Sequence, residues 1–165
     1  ASYGYCASKK ETYFGLKLHA LVTVDGFVSD FFLTPVGIDD RTAVFELTEN
    51  KQSIKIIADK GYIDNTLRNQ LEIEKDILLI SLKRKNSKHP LEKRLRNVLS
   101  KTRRRVETSF SQLSERFNIN KVLAKSKWGL MLRITLEILA HNISFIINHI
   151  LGNGKITQIK QLVFG

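Results

Sequence analysis

From Phe14 to Val24 apolar and polar positions alternate almost without interruption, and this stretch constrains the fold more than any other. Phe14, Leu16, Leu18, Ala20, Val22 and Val24 share one face; Gly15, Lys17, His19, Leu21 and Thr23 share the other. A period of two belongs to a strand, whose successive side chains point to opposite faces. By this reading His19 faces away from the apolar side, and a lone strand histidine is structural rather than catalytic. Asp25-Gly26 follows. Glycine supplies the positive φ that a tight primed turn demands, so the pair predicts a hairpin. Phe27 to Thr34 is the return strand, ended by Pro35 and Gly37. Residues 1–12 read as a polar, mildly basic lead-in.

Helices and strands then alternate. Asp39 or Asp40 can cap a helix running to about Asn50, with Ala43, Val44 and Leu47 inward. Ile54 to Ala58 is a short apolar strand that ends at Asp59-Lys60-Gly61-Tyr62. Asp64 caps a second helix carrying Leu67 and Leu71, and Ile77 to Leu82 is another apolar strand. The order β-β-α-β-α-β defines an α/β sheet with a hairpin at its start. Lys83 to Pro90 is a basic linker. Leu91, Leu95, Val98, Thr102, Val106, Phe110, Leu113 and Phe117 then recur every three or four residues, which predicts one long helix with a single core face. Lys127-Trp128-Gly129 marks a break, and a last helix runs from Leu130 to Leu151. Arg133, Glu137, His141 and Asn148 punctuate it, and His141 and His149 read as polar positions. This predicts a buried amphipathic helix, not a membrane span. The expected organisation is one domain over residues 1–151 and a tail over 152–165.

The charge is concentrated. The chain carries a formal +11, and between Lys83 and Arg105 stand eleven Lys/Arg and one acid, Glu92. A localised field of that size suits a polyanion, most simply a nucleic-acid backbone. Lys83, Arg84, Lys85, Lys88, Arg96, Lys101, Arg104 and Arg105 are the candidate phosphate contacts. Read blandly, the same run is the solvated face of a basic helix. Cys6 is the single cysteine, so no internal disulfide or cysteine-based zinc cluster can form; it reads as a free thiol in a reducing compartment.

Two acids stand out. Asp59 ends a buried strand, where sites gather in open α/β sheets. Glu107 follows Val106 of the apolar stripe, with Arg103 four residues earlier on the same helix face. Taken alone, Asp59 is a loop cap and Arg103–Glu107 an ordinary i, i+4 ion pair. Taken together, two hard carboxylates can hold Mg²⁺, and Arg103 can orient one of them or grip phosphate. A two-ion phosphodiester-cleaving site normally needs a third carboxylate. Asp25 lies at the wrong end of its strand, Asp30 sits mid-strand, and Asp39 and Asp40 read as caps.

These residues resemble the DDE transposases of bacterial insertion sequences, with their RNase H-like catalytic domain. Tyr13-Phe14-Gly15-Leu16-Lys17-Leu18-His19 resembles that family's second strand. Phe32-Leu33-Thr34-Pro35 before Asp39-Asp40 resembles its third strand and the helix that follows. Ala58-Asp59-Lys60-Gly61-Tyr62 is similar to its second-aspartate motif, and Arg103, Val106-Glu107 and Phe110 resemble its glutamate helix. The likeness covers roughly residues 3 to 150. It implies an RNase H-like mixed sheet followed by long C-terminal helices. It also implies DNA cleavage and strand transfer at transposon ends, with a two-ion Mg²⁺ or Mn²⁺ site. Asp59, Glu107 and Arg103 would be the catalytic residues, Asp59 and Glu107 the metal ligands. Double-stranded DNA is the implied partner, with a homo-oligomer allowed and no membrane. The implied location is the cytoplasm, on the nucleoid when DNA is bound.

The chain departs from the pattern at Ser100 and Ser114, where many members carry Tyr and Lys; Lys121 and Lys125 lie further on. The family's first aspartate sits on a strand before the Gly15 strand. The expectation is that this acid and the N-terminal DNA-binding region precede Ala1, leaving a C-terminal part inactive by itself. Two other readings stand beside this one: a non-catalytic basic nucleic-acid-binding protein, and an RNase H-type nuclease.

Overall fold

The computed structural model describes residues 1–6, 10–59, 62, 64–81, 92–152, 154–159 and 162. Its elements run β1 (Ser2–Cys6), β2 (Glu11–Val22), β3 (Val28–Pro35), α1 (Asp40–Leu47), β4 (Lys55–Ala58), α2 (Asn65–Lys75), β5 (Leu78–Ser81), α3 (Lys93–Arg116) and α4 (Lys127–Ile150). The mixed α/β class holds: a hairpin, a parallel strand pair and long C-terminal helices, consistent with an RNase H-like DDE fold. Among the described residues the strands form two groups, β1-β2-β3 and β4-β5. The chain divides into two compact units. One comprises residues 1–21 and 30–103, the other 22–29 and 104–165.

In the first unit, β1 replaces the expected lead-in. It pairs antiparallel with β2, Tyr3 opposite Phe14 and Cys6 opposite Glu11. A glycine is required at position 4, because a Cβ there would lie 1.7 Å from Val36 Cγ1. The helix starts follow the sequence. Asp39 caps α1 through the Arg41 amide at 2.9 Å, and Asp64 caps α2 through the Thr66 amide at 2.7 Å. Each carboxylate satisfies an N–H that the helix itself leaves without a partner. Asp76, with φ 53°, turns the chain out of α2. The Ile77 amide then reaches back to Leu71 O at 3.1 Å. β4 and β5 are parallel, Lys55 opposite Leu78 through Ala58 opposite Ser81. Val44, Leu67, Leu71, Ile77 and Leu79 form the core beneath them, with Ile54, Ile56, Ala58 and Tyr62 packed against it.

In the second unit, the hairpin tip is held by α3 and α4. Gly26 has φ 102°, and a Cβ there would meet Arg105 Cδ, Ser109 Oγ and Phe145 Cε2 within 3.2 Å. Ser109 Oγ donates to Gly26 O at 2.8 Å. The Asn142 side chain treats Val28 as a neighbouring strand would. Its Oδ1 accepts from Val28 N at 3.0 Å and its Nδ2 donates to Val28 O at 2.9 Å.

The final helices depart from expectation in three ways. On α3, Leu99, Ser109 and Leu113 are buried while Leu95 and Val98 are exposed, so the inward face lies partly beside the predicted stripe. α4 starts at Lys127, with Ser126 Oγ accepting from the Gly129 amide at 3.0 Å; the predicted break at Trp128-Gly129 lies inside the helix. And α4 buries Ile134, Ile138, His141, Ser144, Phe145 and Asn148, so His141, read as a polar position, faces the core. By length and composition α4 could also cross a membrane. The tail is anchored, too. Ile159 is buried, Asn148 Nδ2 donates to Ile156 O at 3.0 Å, and Gln112 Nε2 donates to Thr157 O at 2.6 Å.

Candidate active site

Asp59 follows the last residue of β4, where the strand hands over to a turn. The Tyr62 amide donates to Asp59 O at 3.1 Å and closes that turn. Arg103 Nη1 lies 3.8 Å from Asp59 Oδ1, with both side chains about half exposed. At that separation the guanidinium neutralises the carboxylate without locking its geometry, a contact worth no more than about 1 kcal/mol in water. The two residues therefore meet in the first unit, a pairing that the sequence reading, which set Arg103 beside Glu107, did not anticipate. Glu107, four residues beyond Arg103 on α3, belongs to the second unit and is exposed, while its neighbour Val106 is half buried. The carboxylate thus stands on the solvent side of the stripe, not against the core.

Four other acids of the first unit, Asp30, Asp39, Asp40 and Asp64, are engaged structurally. Asp39 holds Arg41, whose guanidinium also reaches Asp64 at 3.2 Å. The hydrogen bonds from Arg41 keep the Asp39 carboxyl well below its usual range. Asp40 pairs with Lys17, and Asp30 with Lys51 at 2.7 Å. Among the described residues, no group of three His, Cys, Asp or Glu side chains could hold a metal ion. Asp59 and Glu107 offer the hard oxygen donors that a divalent ion such as Mg²⁺ prefers. Each carboxylate is the kind of donor such an ion takes, and a two-ion site normally uses three of them.

A buried network behind Asp59 was not legible in the sequence. His19 is 2% exposed. Its Nδ1 lies 2.9 Å from Tyr62 Oη and its Nε2 2.8 Å from Thr34 Oγ1. The ring therefore ties β2 and β3 to the residue that closes the Asp59 turn. Burial lowers the His19 pKa, with Asp40 opposing and Lys17 assisting. Burial, then the nearby Asp40 and Asp59 charges, push the Tyr62 phenol up to about 12. The sequence did contain a signal: Tyr62 stands three residues after Asp59, in the same motif.

This network makes stability depend on pH. A histidine kept neutral by folding binds its proton more readily when unfolded. The His19 contribution is therefore full above its ordinary pKa of 6.5 and is lost as pH falls through the lower folded value. His141 has the same sign, since burial lowers it also. The thermal midpoint should fall between neutral and mildly acid pH, by up to about 1.4 kcal/mol of stability per unit of pKa shift. Calorimetry across that range checks this, and His19→Gln should flatten the profile.

The basic residues divide by position. Arg96, Lys101 and Arg104 are exposed on α3. Arg105 is half buried and donates from Nη1 to Thr157 Oγ1 at 3.0 Å. Lys83, Arg84, Lys85 and Lys88 lie outside the described residues.

A mixed α/β fold with a hairpin at its start, a parallel strand pair and long C-terminal helices is consistent with the class of RNase H-like DDE domains. A family model described as the transposase DDE domain matches residues 5–127, and the chain belongs to that family. No curated protein and no solved structure matches it. Membership makes the chain a transposase-type protein, with DNA as the substrate of the family and a divalent metal as its usual cofactor.

Proposed function

We propose that this chain serves metal-dependent cleavage and strand transfer of DNA at the ends of a bacterial insertion sequence. Asp59 and Glu107 are the metal-binding acids of this reading, and Arg103 is the accompanying cation. The observation that carries it is Arg103 beside Asp59 at the end of β4, within a chain matched over residues 5–127 by the transposase DDE domain. A divalent ion at these acids would neutralise phosphate charge. The residues themselves do the rest. Asp59 presents oxygen donors at a strand end, Arg103 offsets the charge of that carboxylate, and the His19–Tyr62 network holds the turn behind it. The exposed cations of α3 bind phosphate without reading sequence. Mg²⁺ or Mn²⁺ is the expected ion, and the location remains the cytoplasm, on the nucleoid with DNA.

Titration of Mn²⁺ into the protein and into Asp59→Asn, followed by calorimetry, tests the reading. A single weak site is expected, with affinity reduced at least about tenfold by the substitution, because an oxygen ligand with full charge becomes a neutral amide. If no ion binds and Asp59→Asn changes nothing, the acids are structural and the protein binds DNA without a catalytic centre.

A further inference from the structure

The chain's single tryptophan, Trp128, is 75% exposed in the first turn of α4. An indole is highly buried on average, and one held in solvent marks a surface that binds something. Its backbone is fixed. Ser126 Oγ accepts from the Gly129 amide at 3.0 Å, and the Leu130 amide donates to Ser126 O at 3.0 Å, so the helix starts firmly around the ring. The charge about it has one sign. From Arg116 to Arg133 stand five cations, Arg116, Lys121, Lys125, Lys127 and Arg133, and no acid. Lys121, Lys125 and Lys127 are exposed. This group is separate in sequence from the basic run that ends at Arg105, and the phosphate contacts assigned above leave it unused.

We propose that Trp128 and these lysines form a site for an unpaired nucleotide of DNA. The indole stacks on the base, and Lys125 and Lys127 neutralise the phosphates on either side of it. The proposal rests on DNA as the substrate and not on the metal-binding acids. The chemistry selects this ligand within DNA. In a duplex each base has both faces covered by its neighbours, so a ring on the protein surface finds nothing to stack on. An unstacked base offers a bare π face, and a flat aromatic ring beside a cationic surface is how single strands are held. An acidic peptide would satisfy the lysines but would leave the indole uncovered. Stacking is also tolerant of base identity, so the site would distinguish unpaired from paired DNA without reading sequence.

Because Trp128 is the only tryptophan, its emission reports the site directly. The full chain is titrated without divalent ion, once with a thymidine homopolymer strand and once with a blunt-ended duplex. The strand should quench the indole. The duplex should leave the emission near its free value, although anisotropy of a labelled duplex shows that it is bound. Trp128→Ala should weaken binding of the strand about tenfold, the usual loss for one stacked base. Trp128→Phe keeps a ring and should recover most of that loss, and neither substitution should change affinity for the duplex. Far-UV circular dichroism confirms that both variants are folded. A chain that binds the duplex while its emission ignores the strand overturns this proposal alone. So does a Trp128→Ala protein that binds the strand as the wild type does, or an indole that answers only to neutral lipid vesicles. A chain that binds neither form of DNA overturns the DNA reading and this proposal with it.

Discussion

Raising NaCl from 50 to 200 mM is expected to weaken binding of this chain to duplex DNA by about a thousandfold. Each phosphate neutralised by Lys or Arg releases condensed counterions, and salt opposes that release in proportion to the number of contacts. The stretch from Lys83 to Arg105 holds eleven cations and one acid. If about six of them reach phosphates, log affinity falls with log salt at a slope near −5. Anisotropy of a labelled duplex across a salt series measures that slope. Removing Arg96, Lys101 and Arg104 together should reduce it by about 3, one contact each. Arg105→Ala should change it less, because that guanidinium already donates to Thr157 Oγ1. A slope near zero, with affinity insensitive to these substitutions, would mean that the basic run is a solvated helix face. The salt series cannot separate a catalytic domain from a plain DNA-binding one; the metal titration on Asp59→Asn does that.

The sequence carried those elements whose signals are local. Asp25-Gly26 placed the turn, Asp39 and Asp64 marked helix starts, and Ala43, Val44, Leu47, Leu67 and Leu71 lie inward as their spacing required. Asp59 and Arg103, singled out from separate motifs, lie 3.8 Å apart, a pairing their spacing in sequence did not give. What failed was any judgement that depended on non-local partners. β1 is too short for its alternation to stand out, and it becomes a strand by pairing with Glu11–Gly15. Alternation set His19 on the face away from the apolar side, and His141 was read as a polar position of its helix. Each is instead buried beside groups distant in sequence, Tyr62 and Thr34 for one and Gln112 for the other. Periodicity reports which side chains share a face, not which face the rest of the chain covers. On α4 that distinction decides everything, since most of its circumference is apolar and the buried side is the one holding Asn142 hydrogen-bonded to Val28.

Phe145→Ala should cost about 3–5 kcal/mol, the usual loss for a fully buried phenylalanine. For a chain of this size that lowers the thermal midpoint by roughly 10–15 °C. Phe145 is 1% exposed. Its ring meets Phe27 at 5.1 Å and His141 at 4.6 Å, and it closes against Gly26. The cavity would open where the hairpin tip, α3 and α4 come together in the second unit. Ser109, two residues after Glu107, is latched to that tip through Gly26 O. The loss should therefore reach the stretch of α3 that carries Glu107, without touching either Asp59 or the exposed cations. Calorimetry measures the cost, with Val98→Ala, on the exposed side of α3, expected to stay within about 1 kcal/mol of the wild type. Hydrogen exchange then locates the change. The amides of residues 104–113 and 134–148 should lose protection together, while β4 and α2 of the first unit keep theirs. A Phe145→Ala protein with an unaltered midpoint would show that the tip is held by its hydrogen bonds alone.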